Sequence, residues 1–207
     1  ASPERLIALD ARVVLYGTET TEEQLPRQAI RAYPGQYVTR WTAKDGTQLT
    51  LRPIRPEDEP MTLEFHQTLS DRSVYMRYLH PMLLTDRARH ERLARICHCD
   101  YDREMTLVAE CPDSQTGKPV MMGAGRLSKM HGTSAARFSL IISDGFQGRG
   151  LGAEFMRHLC KFARDEKLDR IEAIMTQDNQ HMLAMCKKLG ARITPLSDGK
   201  VKAEIDL

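Results

Sequence analysis

Long apolar runs are missing from this chain. Nowhere do the roughly 18 to 20 consecutive apolar residues of a membrane helix occur. Glu4, Arg5, Asp10 and Arg12 also break up any basic-then-apolar start, so no secretory signal is expected. Cysteine is sparse and odd in number: Cys97, Cys99, Cys111, Cys160 and Cys186 are spread too thinly for a disulfide framework, and a reducing cytoplasm is the expected compartment. Neither charge dominates, with a formal net charge of +2, so the composition gives no reason to expect nucleic acid as a partner. Cys97-His98-Cys99 is metal-like in type, but without a second Cys/His pair it is a poor tetrahedral chelator, and no metal is expected.

What is present suits one sizeable domain with a short appendage: 207 residues, 41% apolar and 28% charged. Residues 6–15 read as a short strand. Residues 16–40 are polar, hold Pro26, Pro34 and Gly35, and read as a linker, so 1–40 is set apart from a main domain at 41–207. From Gln48 the punctuation becomes regular. A strand is expected at 48–54 and a helix from Pro56 with acids in its first turn; a short helix opens at Ser70, and another, capped by Thr85, runs to Cys97. Strands at 106–111 and 119–129 form a hairpin, and strand 136–143 is the most apolar. Helix 150–166, strand 170–176, helix 179–189 closed by Gly190, and strands near 191–194 and 201–205 complete a mixed α/β layer fold around one sheet.

The strongest chemical signal is the turn Gln147-Gly148-Arg149-Gly150-Leu151-Gly152, between the apolar strand and an amphipathic helix. Glycines let the backbone approach a ligand, and the free N–H groups of a helix start favour phosphate or pyrophosphate. The same spacing also suits a tight strand-to-helix turn with no ligand. It is neither the dinucleotide fingerprint nor a P-loop, because no Gly-Lys-Ser/Thr follows.

This turn resembles the pyrophosphate loop of the GNAT superfamily of N-acetyltransferases. So do Asn179 ahead of a helix ending Lys187-Lys188-Leu189-Gly190, and the opening Leu51-Arg52-Pro53-Ile54-Arg55-Pro56-Glu57-Asp58; the likeness spans about 160 residues, 48 to 207. It implies a GNAT-like fold, with a central, mostly antiparallel sheet splayed around the cofactor strand and flanked by helices, and acetyl-CoA as acyl donor. The residues 9–15 and 29–34, with 91–97 and 100–105, are similar to bacterial protein lysine acetyltransferases in which a GNAT domain follows an NDP-forming acyl-CoA synthetase-like portion. That likeness implies a protein lysine as acceptor and a synthetase-like partner in the same polypeptide.

By the resemblance, the backbone of Leu140, Ile141 and Ile142 holds the pantetheine and thioester, residues Gln147 through Gly152 take the pyrophosphate, and Asn179 bonds the pantetheine arm. As a plain N-cap, Asn179 needs no ligand. Cys186 stands where many relatives carry a Tyr that protonates the leaving thiolate, although free Cys is also a common core residue. The lysine enzymes place a base Glu on the cofactor strand in an Ala-Glu-Phe-like context; here the text is Ala136-Arg137-Phe138. A guanidinium is no base and repels an ammonium. Three readings stay open: another carboxylate such as Asp144 or Glu110, or water, takes the proton; Arg137 recognises an anionic acceptor; or the domain senses acetyl-CoA with little turnover. His131 is a base by type but reads as a turn residue. The helical region 62–84, with Phe65, His66, Tyr75, Arg77, Tyr78 and His80, is where the acceptor groove is expected.

Overall fold

The computed structural model describes residues 13–21, 24 and 31–207. The expected strand at 6–15 lies largely outside them; its described end, residues 13–15, is exposed and without regular structure. Eight strands form one sheet: β1 (Thr39–Thr42), β2 (Gln48–Pro53), β3 (Glu104–Pro112), β4 (Pro119–Lys129), β5 (Ala135–Ile142), β6 (Arg170–Thr176), β7 (Arg192–Pro195) and β8 (Lys200–Asp206), in the order β1-β2-β3-β4-β5-β6-β8-β7. Every neighbouring pair is antiparallel except β5 with β6. Among the described residues, six α-helices accompany the sheet: α1 (Glu59–Gln67), α2 (Asp71–Tyr78), α3 (Leu84–Arg87), α4 (His90–Cys97), α5 (Leu151–Asp165) and α6 (Gln180–Lys188). No helix among the described residues is long and apolar enough to cross a membrane.

Two apolar clusters divide the faces. Leu151, Phe155, Leu159 and Phe162 recur at helical spacing, so α5 buries one stripe against Leu127, Phe138 and Ile171; each fully buried side chain of that size contributes about 1.5–3 kcal/mol. On the other side, Ile54, Phe65, Val74, Cys97 and Met121 join α1, α2 and α4 to the sheet. Gly125 on β4 permits the close seat of α5: a Cβ there would stand 3.0 Å from both Leu140 Cδ2 and Phe155 Cδ1.

Two expectations are corrected. Residues 31–40 are not a free linker: Tyr37 is a core residue, edge-to-face on Phe162 at 5.5 Å, its hydroxyl donating to Asp165 Oδ2 at 2.8 Å, and β1 extends the sheet edge. The helix expected from Thr85 to Cys97 is broken. Arg89 is extended (φ −61°, ψ 136°) between α3 and α4, and the N-cap of α3 is Leu83, without a side-chain cap. The break lets Arg87 bury its guanidinium on the carbonyls of Leu69 and Met82, both at 3.3 Å, while Leu93 and Cys97 turn into the core.

Candidate functional site: a cofactor notch and an arginine-lined pocket

β5 and β6 pair only from Ala135↔Arg170 to Arg137↔Glu172. Beyond Arg137 they part, and β5 keeps β4 as its partner through Ile142. A backbone that loses its neighbour must find other hydrogen-bond partners. The chain supplies one, since Gln147 Nε2 donates to the Ile142 carbonyl at 3.1 Å. Side-chain alternation sends Leu140 and Ile142 to the α5 side and Ser139 and Ile141 to the α1/α4 side.

The turn expected to bind pyrophosphate closes this opening. Gly148 (φ 76°) and Gly150 (φ 98°) occupy left-handed backbone, which glycine adopts at little cost, and no atom stands within 4 Å of a Cβ built on Gly148. Gly150 is the N-cap of α5 and its carbonyl accepts from Glu154 N–H at 3.2 Å. The first N–H groups of any α-helix have no intrahelical acceptor, so those at the Leu151–Gly152 start keep their donor capacity. Leu151 itself is core, and so contributes backbone rather than side chain. The Arg149 guanidinium is committed elsewhere: it pairs with Asp45, donates to the Gly145 carbonyl at 2.9 Å and stacks on Phe146. Lys44 is a cation that sequence reading missed; its Cε lies 3.6 Å from a Cβ on Gly150, and its N–H donates to the Arg149 carbonyl at 3.3 Å. No local signal marks it, because the β1–β2 turn meets this loop only in the fold.

Gln147 also donates to Ser73 Oγ at 3.0 Å, and Asp144 accepts from Ser70 N–H, Ser70 Oγ and Ser73 Oγ at 2.9, 2.7 and 2.8 Å. The cofactor turn is thereby tied to the start of α2. Burial opposes ionisation of Asp144, but the bonds from Ser70 and Ser73 hold its carboxyl below the usual range. A carboxylate so occupied is a poor base. Glu110, the other candidate, accepts from buried Arg52 Nη2 at 2.6 Å on the β2–β3 side of the sheet.

Asn179 caps α6, its Oδ1 accepting from Met182 N–H at 3.3 Å. Cys186 is 0% exposed, and burial pushes its thiol up to about 11. The acid role expected for it has no exposed thiol to act from. Met185, half-buried, takes the notch side instead, with Sδ 3.5 Å from a Cβ on Gly152. Arg137 is 55% exposed and its Nη2 donates to Glu172 Oε1 at 3.1 Å; Glu172 is buried, with Lys202 Nζ 3.9 Å from its other oxygen. The Cys97-His98-Cys99 side chains diverge: Cys97 Sγ lies 3.7 Å from Thr62 Oγ1, Cys99 donates to the Glu104 carbonyl, and His98 Nδ1 lies 2.9 Å from the Ala94 carbonyl. His131 sits exposed in the β4–β5 turn.

A groove of about 1070 Å³ opens on the α1/α2/α4 side, reaching Ser139 and Ile141 of β5. Phe65, His66, Arg77 and Tyr78, expected here, do line it; Tyr75 and His80 are outside its lining. Arg92 and Arg126 are additions from α4 and β4. His66 is 3% exposed, and burial, with repulsion from Arg87, Arg92 and Arg77, lowers its imidazole to about 4, so it is neutral at physiological pH.

Residues 48–192 match the acetyltransferase (GNAT) domain family, and this chain belongs to it. GNAT domains bind acetyl-CoA, and the fold above is that of the family. The chain is 28% identical over 146 residues to an acetyltransferase of Pseudomonas aeruginosa, covering 70% of this chain and 76% of that protein. It is 27% identical over 164 residues to the acetyltransferase Pat of Mycolicibacterium smegmatis, covering 79% of this chain and 47% of Pat, so it spans about half the length of that relative. The GNAT domain of S. lividans PAT has the same fold, with a TM-score of 0.74 at 24% identity over 85% of this chain and 100% of that domain.

Proposed function

We propose that this domain transfers the acetyl group of acetyl-CoA to an amine, with a protein lysine as acceptor, by direct attack in a complex of protein, thioester and acceptor. The observation that carries the reading is the Gln147–Gly152 turn at the head of α5, set beside the point where β5 and β6 part. The residues present fit the donor. Open space at Gly148 admits a diphosphate, the α5 amides and Lys44 supply its counter-charge, and the β5 backbone at Leu140, Ile141 and Ile142 borders the notch for the pantetheine. Asn179, whose Oδ1 is used as a cap, keeps Nδ2 for the arm. Bound there, the thioester supplies an activated acyl group; the chain orients it and receives the acceptor from the groove reaching Ser139 and Ile141. Lysine is named from the resemblance of residues 9–15, 29–34, 91–97 and 100–105 to bacterial protein lysine acetyltransferases, and the synthetase-like portion and cytoplasmic setting belong to the same proposal.

An attacking lysine, with an unperturbed pKa of about 10.4, must shed a proton. Asp144, Glu110 and Glu172 are all engaged by other groups, so water in the groove takes it. The Arg137–Glu172 pair favours a second reading, an acetyl-CoA-sensing domain with little turnover, since it leaves a cation at the base position. Acceptor-dependent CoA release separates the two. Turnover by the natural chain supports transfer, whereas turnover appearing only in Arg137→Glu supports sensing. In Gly148→Val the affinity for acetyl-CoA should fall by about tenfold or more, because the side chain strains a positive-φ turn and fills the cradle. Unchanged affinity in that variant would defeat both readings.

A further inference from the structure

The groove contains more positive charge than its neighbours neutralise. Arg77 from α2, Arg92 from α4 and Arg126 from β4 converge on it. Arg126 pairs with Glu104 outside the lining, and Asp86 is held by Arg89 at 2.9 Å. Glu91 and Arg95 also border the groove, so five arginines face two lining carboxylates. Among the described residues, no ion pair serves Arg77 or Arg92. Both lie against the Tyr78 ring instead, with guanidinium carbons 4.9 and 5.1 Å from its centroid. The Nε atoms of Arg92 and Arg126, His66 Nδ1 and Thr106 Oγ1 are buried in the lining with no hydrogen-bond partner. Buried polar groups are ordinarily satisfied, so the Arg92 and Arg126 guanidiniums around this cavity are incompletely bonded by the protein. Desolvation and the charges of Arg126 and Arg92 lower the Arg77 guanidinium, as expected of cations gathered without a counter-ion.

We infer that this groove is an anion-binding subsite, in which Arg77, Arg92 and Arg126 hold a carboxylate or phosphate carried by the acceptor while its amine lies toward Ser139 and Ile141. The proposal rests on the transfer reading for the identity of the ligand and deepens it by naming what recognises the acceptor. Arg126 is directly opposite Ser139 in the β4–β5 register, so the anion and the cofactor strand are neighbours within one small acceptor or a few residues of a peptide. Guanidinium forks suit either oxyanion, and their hydrogen bonds to it are charge-assisted. The anion has two possible sources: the acceptor's own acid group, or acidic side chains flanking a target lysine.

Calorimetric binding keeps the test independent of turnover. The probes are Nε-acetyl-lysine against its α-carboxamide, and an acetyl-lysine peptide flanked by Asp against the same peptide flanked by Asn. Each is titrated into the full chain and into Arg77→Gln and Arg92→Gln. The expected result is at least about tenfold tighter binding of one acid-bearing probe than of its neutral twin, erased in both variants. A preference confined to the free amino acid assigns the anion to a small acceptor, and one confined to the Asp peptide assigns it to flanking side chains. Equal binding of both twins in each pair, or a preference that survives both substitutions, overturns the subsite. Affinity for acetyl-CoA should stay unchanged in the variants and their melting temperatures should not fall, so a lost preference is not mistaken for misfolding. Failure of CoA release with intact anion preference would sink the transfer reading alone.

Discussion

Two arginine-bearing regions of this molecule, around Arg52 and around the groove, are built differently. On β2, Arg52 is 7% exposed and fully answered: Nη1 and Nη2 donate to Asp58 at 2.7 Å each, Nη2 donates to Glu110 at 2.6 Å, and Asp58 also accepts from the Arg55 N–H at 2.8 Å. In the groove, Arg126 alone of Arg77, Arg92 and Arg126 has a carboxylate partner, Glu104, and the other two lean on a tyrosine. Arg52 is buried and Arg77, Arg92 and Arg126 are half-buried, and the two regions differ in the number of partners. The first arrangement fastens the opening strand to the turn before α1. The second leaves bonding capacity for something that arrives later. An arginine is therefore evidence of function only after its carboxylates have been counted.

The largest expected effect comes from breaking the satisfied cluster. Asp58→Ala strands Arg52 with Glu110 alone and frees the Arg55 N–H, and removing one partner of a buried pair costs about 3–5 kcal/mol. Urea unfolding should record a loss of that size. A loss below about 1 kcal/mol would mean that the cluster is no more structural than a surface pair.

His66 sharpens the comparison through pH. The unfolded imidazole takes up its proton near 6.5, whereas the folded one resists until about 4. Between those values the unfolded state holds more protons, so stability is full above about pH 6.5 and declines as pH falls toward 4. The expected loss is on the order of 3 kcal/mol at the lower end, from a shift of roughly 2.5 units at 1.36 kcal/mol each. His66→Gln should remove that segment of the pH–stability curve. An unchanged curve would mean that His66 titrates normally and that the groove is wetter than its geometry indicates.

Local chemistry was legible in the sequence; long-range placement was not. The β5-turn-α5 unit follows from an apolar run, two positive-φ glycines and one amphipathic stripe, all contiguous. Gly190 closes α6 as expected, with Ala191 N–H donating to the Cys186 carbonyl and Gly190 N–H to that of Lys187. β1 was hidden because a four-residue edge strand has too few positions to show alternation, and its partner β2 sets it. The break at Arg89 depends on Arg87 reaching the Leu69 carbonyl, 18 residues away in sequence. Cys186 illustrates the same limit within one helix. Spacing from Asn179 placed it in a functional column, while its phase with Leu183 placed it in the core, and packing decided for the core. The arginine groove joins α2, α4 and β4, so no single stretch of sequence contains it.

The smallest effect is also the one with the least ordinary sign. Most buried substitutions destabilise, but Arg92→Gln removes one of several like charges in the groove, and among the described residues no ion pair serves Arg92. It also gives up contact with Tyr78, worth about 0.5–1 kcal/mol. The two nearly cancel, and relief of repulsion from Arg77 and Arg126 should tip the balance to a gain of a few tenths of a kcal/mol, up to about 1. The matching change at Arg52, Arg52→Gln, should be clearly destabilising, because two carboxylates then lose their cation. Opposite signs from the same chemical substitution at two arginines would establish that one is held for the fold and the other for a ligand. A loss of more than about 2 kcal/mol at Arg92 would place it with Arg52 as a structural residue.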